Sequence, residues 1–252
     1  MGSFFLHIKK LNHNITPCNL KFRVYIFRAV VFFAVLLGGL CMFNLQSCSG
    51  EEKQGGSEEG IIEFDSKAVD QTHPLSGLAP GSAVLKYKKD KFVIEMSTMG
   101  MFNTSVIGNN TDKTLIQTVK FMDIKQYCVE NEADIKEENN SYKIKIEETK
   151  ETKKILGFKC HKLKVTMVDN PTMTFDAWYT KELGMESCNA LTPYADVKGV
   201  LLDYRIKKMG MEMRFIAKKV GHNEVPDNSF EVPPTMKKVT KAEMQKFFTD
   251  LQ

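Results

Sequence analysis

Phe92-Val93-Ile94-Glu95-Met96-Ser97 decides how this chain folds. Phe92, Ile94 and Met96 alternate with Val93, Glu95 and Ser97, and a period of two is that of a strand with one buried and one solvated face. Tyr142, Ile144 and Ile146 alternate with Lys143, Lys145 and Glu147 in the same way. Residues 61–65, 83–87, 102–107, 114–121 and 124–129 continue the series, separated by turn signals such as Lys89-Asp90 and Asn109-Asn110. Connections this short favour antiparallel neighbours.

The second half repeats the pattern in Leu163, Val165 and Met167, then Met173, Phe175, Ala177 and Tyr179, then Val200, Leu202, Tyr204 and Ile206, then Met209, Met211, Met213, Phe215 and Ala217. Helical periodicity is sparse. Residues 132–139 can make two turns, and 240–251 has Thr240 as N-cap, Glu243 at the capping-box position and Met244, Phe247, Phe248 and Leu251 on one face. So many one-sided strands with so little helix must curl to cover their apolar face. The expectation is a mainly β (α+β) fold: a single curved antiparallel sheet forming an incomplete barrel. Its concave apolar interior is where a ligand would sit, lined by Phe92, Ile94, Met96, Met173, Phe175, Tyr179, Met209, Met211, Met213 and Phe215.

Ahead of the body, Lys21, Arg23 and Arg28 precede an uncharged apolar run over 29–43 that ends shortly before Leu45-Gln46-Ser47-Cys48. Fifteen residues fall short of the roughly 20 a bilayer span needs, so 1–47 reads as a signal peptide and Cys48 as the lipidation site. Cys41, the other cysteine near the cleavage region, follows the bulky Leu40 rather than a small residue. Residues 48–60 form an acidic Gly/Ser/Glu tether. One β domain over 61–252 follows. The expected location is the cell envelope, with a lipid anchor in the outer membrane, since no aspartate follows Cys48.

The five basic residues of 1–47 are unaccompanied by acidic ones; taking them from 35 leaves 30 basic against 31 acidic. The basic pI therefore belongs to the leader, and a nucleic-acid partner, which needs a basic face, is excluded.

Several short stretches carry a resemblance. They are Ile155-Leu156-Gly157-Phe158-Lys159-Cys160-His161-Lys162, Ala177-Trp178-Tyr179-Thr180-Lys181-Glu182-Leu183, Gly210-Met211-Glu212-Met213, Val225-Pro226-Asp227, Phe230-Glu231-Val232-Pro233 and Lys237-Lys238-Val239. Together they resemble an uncharacterised Gram-negative lipoprotein family similar in fold to the LolA and LolB lipoprotein-localisation carriers. The resemblance implies a helical lid over a cavity that, in the carriers, takes acyl chains.

The catalytic inventory is thin. His73, His161 and His222 are far apart, and HExxH, GxSxG and phosphate-cradling glycine loops are missing, so no catalytic residue, cofactor or enzymatic activity is assigned. His161 falls in register with Leu163 and Val165, where one hydrogen bond commonly satisfies a histidine. Cys128, Cys160 and Cys188 are odd in number: one disulfide, with Cys160–Cys188 the choice, and three free thiols are both open. Cys160 alternates with Lys162 and Lys164, which places it opposite the apolar face of its strand.

The favoured reading is an envelope lipoprotein that binds a lipid or other hydrophobic ligand, each buried CH2 contributing about 0.8 kcal/mol. Two alternatives stand beside it: a structural or interaction module of the envelope, and a Cu(I) module in which Met209, Met211 and Met213 present aligned thioethers. Methionine as adaptable core filler accounts for that triplet equally.

Overall fold

The computed structural model describes residues 58–208 and 210–251. The signal segment, Cys48 and the tether as far as residue 57 lie outside them, as does Met209. Glu59 and Gly60, read as the end of the tether, already belong to the first strand.

Eleven strands of one sheet follow the alternating segments: β1 (Glu59–Ala68), β2 (Ser82–Lys88), β3 (Lys91–Thr98), β4 (Phe102–Asn109), β5 (Thr114–Phe121), β6 (Ile124–Glu130), β7 (Ile144–Ile155), β8 (Phe158–Met167), β9 (Thr174–Thr180), β10 (Val200–Lys208) and β11 (Met211–Gly221). A two-residue β12 (Lys237–Lys238) lies parallel to β6; all other pairs are antiparallel. The order is β12-β6-β5-β4-β3-β2-β1-β11-β10-β9-β8-β7, so the sheet is unclosed, with two wings joined where β1 meets β11. Helix α1 (Glu132–Asn140) follows β6, and α2 (Lys241–Asp250) ends the described chain.

Local chemistry explains the short connections. Leu156 and Gly157 both have positive φ (52° and 89°) between the paired residues Ile155 and Phe158, a two-residue turn whose twist matches that of the strands it joins. Asn131 caps α1 through the amides of Ala133 and Asp134, and Thr240 with Glu243 forms the expected capping box on α2. Nine of the twelve residues of the edge strand β7 are charged or polar, and its register breaks between Glu148 and Thr152, both of which discourage another strand from pairing with it.

The core has four clusters. The main one joins Ile62 and Phe64 of β1, Tyr87 of β2 and Leu202 and Phe215 of β10 and β11. A second holds Leu163, Val165, Phe175, Ala177 and Tyr179 with Tyr194. Helix α2 inserts Met244 and Phe248 against Phe102, Val119 and Cys128. The segment after β11 brings Val225 and Phe230 onto Val93 and Ile107.

Two expectations about cysteine are corrected. Cys160 is wholly buried in the main cluster, because the buried side of β8 changes along the strand: Phe158 and Cys160 enter one cluster and Leu163 and Val165 another, with Lys159 and Lys164 exposed between them. Cys128, Cys160 and Cys188 are all free, so Cys160 and Cys188 form no disulfide.

Candidate functional site

The concave side of the sheet holds a cavity of about 160 Å³. Four elements supply its cover. The 3₁₀ turn Pro74–Leu78 contributes Leu75, α1 contributes Ile135, α2 contributes Phe248, and the long loop 181–199 contributes Leu191 and Tyr194. In that loop Asn189, itself buried, donates to the carbonyls of Val197 and Gly199 at 2.9 and 2.7 Å and ties the middle of the loop to its C-terminal end.

The strand period placed six of the expected residues on this wall: Phe92, Ile94, Met96, Met211, Met213 and Phe215. Phe175 and Tyr179 are buried in the second cluster instead, and Met173 precedes β9 in a turn, where it is exposed. Met211 and Met213 lie in apolar surroundings, and Met99 and Met101 project from the β3–β4 turn. Among the described residues no cluster of His, Cys, Asp or Glu is placed to hold a metal ion.

One end of the cavity is polar, and sequence reasoning missed it. Lys208 Nζ, at the end of β10, donates to Glu138 Oε2 of α1 at 2.6 Å and to Glu130 Oε2 of β6 at 3.3 Å. Glu130 is 2% exposed. Burial pushes its carboxyl up from the ordinary value; Lys208 opposes that shift and the Glu138 charge adds to it. Gln126, Cys128 and Glu130 alternate along β6, so a carboxylate on an inward register was the available signal. Beside this cluster, Tyr142 donates to Glu212 Oε1 at 2.8 Å.

The three thiols, His73 and His161 are held by their surroundings. Burial pushes the Cys128 thiol up to about 11 and the Cys188 thiol up to about 12, and raises that of Cys160, so all three stay protonated at neutral pH. His73 accepts from the Leu75 amide through Nδ1 at 3.1 Å and caps the 3₁₀ turn. His161 rests against the Tyr179 ring, centroids 5.6 Å apart, with Glu148 Oε1 at 3.7 Å. Glu148 also accepts from the Tyr179 hydroxyl at 2.8 Å.

Among the described residues no helix is long and apolar enough to cross a membrane. Comparison with known proteins gives a family match over residues 87–193, less than half of the chain, to the N-terminal domain of the N-glycanase peptide family, PNGase F-II type. No curated protein sequence matches. Two solved structures of PNGF-II are similar in part. The P21 crystal form shows 14% identity and a TM-score of 0.49 over 77% of this chain, and the C2 form 17% and 0.44 over 75%. The chain spans about a third of their length, 34% and 32%.

The family match overturns the resemblance to the LolA and LolB carriers, since the stretch it covers includes the Leu156-Gly157 turn and the Trp178 segment on which that resemblance partly stood. The function as a carrier of a lipid or other hydrophobic ligand falls with it. The match supports neither alternative, the structural envelope module or the Cu(I) module. What the match carries is a likeness to the N-terminal domain of an N-glycanase, over the seven strands β3 to β9 and helix α1.

Proposed function

We propose that this chain is a non-catalytic domain that contacts N-linked glycans on glycoproteins. The observation that carries the reading is the family match over 87–193, which is to the N-terminal domain of a glycanase and spans most of one wing and part of the other. The chemistry of the interior supports the non-catalytic half. The close carboxylates Glu130 and Glu138 are bound to one ammonium, and the thiols are held in their unreactive form. Attachment to the outer membrane through a lipid on Cys48 is a separate proposal, tested by metabolic labelling with a palmitate analogue and by its loss in Cys48→Ala.

Binding to an immobilised N-glycosylated protein, before and after its glycans are stripped, tests the main reading. Binding is expected to fall at least tenfold on stripping, with no glycan released from a labelled N-glycopeptide. Equal binding to both forms would refute the glycan contact, and glycan release would refute the absence of catalysis.

A further inference from the structure

The chain has a single tryptophan, Trp178 on β9, and it is half-buried. Lys162 of β8 stands directly opposite it on one side and Asp203 of β10 directly opposite on the other. Directly paired residues of neighbouring strands project on the same face, which places Lys162 beside the indole, while Asp203 pairs with it just past a break in register between Leu201 and Asp203.

Both flanks are fixed in advance. Lys162 Nζ lies 3.0 Å from Asp176 Oδ2 and 3.3 Å from Glu151 Oε1. Asp203 is 6% exposed and receives the Arg214 fork, Nε and Nη2 each at 2.9 Å from one carboxylate oxygen. Lys153 Nζ sits 4.0 Å from the centre of the indole ring. A lysine head on a flexible four-carbon stem covers an aromatic face removably.

Around the indole stand the cations Lys153, Lys162, Lys164 and Arg214 and the carboxylates Glu147, Glu151, Asp176 and Asp203. Cations and carboxylates interleave, which disfavours a ligand of either charge. They offer donors and acceptors at short range beside an apolar ring face, which is what a neutral sugar needs: C–H groups to lay on the aromatic and hydroxyls to share between donor and acceptor. Because the ion pairs are already formed, ordering them costs little on binding.

We propose that Trp178, flanked by the Lys162–Asp176 and Asp203–Arg214 pairs, is a saccharide subsite that takes one neutral pyranose of an N-linked glycan. The inference rests on the glycan reading above and gives it a place on the sheet, apart from the residues that line the cavity.

The single tryptophan makes the test direct. The full chain is titrated with chitobiose and, separately, with mannotriose, following indole fluorescence and, in parallel, calorimetry. A saturable fluorescence change that tracks the heat is expected for at least one sugar. Trp178→Phe is expected to keep calorimetric binding within about threefold, because a ring remains. Trp178→Ala and, as a variant that leaves the packing of the ring alone, Asp176→Asn are each expected to weaken it at least tenfold, with circular dichroism reporting the fold. Glycoprotein binding that is glycan-dependent yet unchanged in both weakening variants overturns the subsite and leaves the broader reading standing. A wild-type chain that binds stripped and glycosylated protein alike overturns both. Tenfold preference for a sialylated over a neutral glycan also refutes the neutral-sugar assignment.

Discussion

Gly108 of β4 stands directly opposite Phe92 of β3, and a methyl group at that position would collide with the phenyl ring. The glycine is therefore what lets Phe92 lie flat in the cavity wall. Gly108→Ala is expected to lower stability by about 1–3 kcal/mol, the usual cost of overpacking. Gly81→Ala, where nothing lies within 4 Å of the added carbon, is expected to be neutral or slightly stabilising. Urea midpoints compare the two, and equal midpoints would remove the steric account. Glu130 makes a different kind of prediction. Its folded carboxyl titrates above the ordinary 4.5, so the folded chain holds the proton more tightly than the unfolded one. The stability this contributes is complete below 4.5 and is lost as pH rises through the folded value. Glu130→Gln has no such proton, so its stability relative to the parent is expected to improve from pH 4.5 upward and then level off. Denaturation midpoints from pH 4 to 8 check the sign; a relative stability that declines with pH would mean that Lys208, not burial, dominates.

Helix α1 is held differently from α2. Ile135 is the one residue of α1 that is buried, whereas α2 buries Met244 and Phe248. In compensation, three lysines from three other places reach α1: Lys113 to Glu132 at 2.9 Å, Lys208 to Glu138 at 2.6 Å and Lys241 to Glu137 at 3.0 Å. Pairs open to solvent contribute about 0.2–1 kcal/mol each and are weakened by salt, the half-buried Lys208–Glu138 pair less so, and α2 shares only the Lys241 pair with α1, so 1 M sodium chloride is expected to speed amide exchange more in α1, about three- to tenfold, than in α2. Equal acceleration in both helices would show that α1 is not held by charge. Elements like these were legible in the sequence to unequal degrees. The strands could be read because period-two alternation is a local signal, and α2 because its cap and apolar face are local too. Phe92, Ile94 and Met96 line the cavity, although Val93 of the same strand, expected on a solvated face, is buried on the other side against Val225 and Phe230. Phe175 and Tyr179 lie in the second cluster instead, because β8 and β9 each send residues into two clusters, and alternation does not say which cluster a residue joins. The fold of loop 181–199 depends on Asn189 meeting carbonyls eight and ten residues away, and Trp178 acquires its neighbours from β8 and β10. Neither has a period that a sequence could display.

The sheet order gives the molecule a middle and two ends. β1 pairs with β2 on one side and β11 on the other, so the strand that opens the described chain is the seam between the wings, with Ile62 and Phe64 almost fully buried in it. β7 is an edge strand with nine of its twelve residues polar and a break in register, and β12 is two residues long. Local opening is cheapest where few apolar contacts are lost, so stability should fall outward from the seam. Native-state hydrogen exchange is expected to show β1, β2 and β11 exchanging only through global unfolding, and β7 through a local opening at least a hundredfold more frequent. Trp178, two strands in from the β7 edge, gives a second handle: its fluorescence should report the same urea transition as far-ultraviolet circular dichroism, because β9 is paired on both sides and packs against the main cluster. A fluorescence transition well before the circular-dichroism one would mean that the wing carrying the saccharide subsite unfolds alone, and the sheet would then be two units joined at β1 and β11 rather than one.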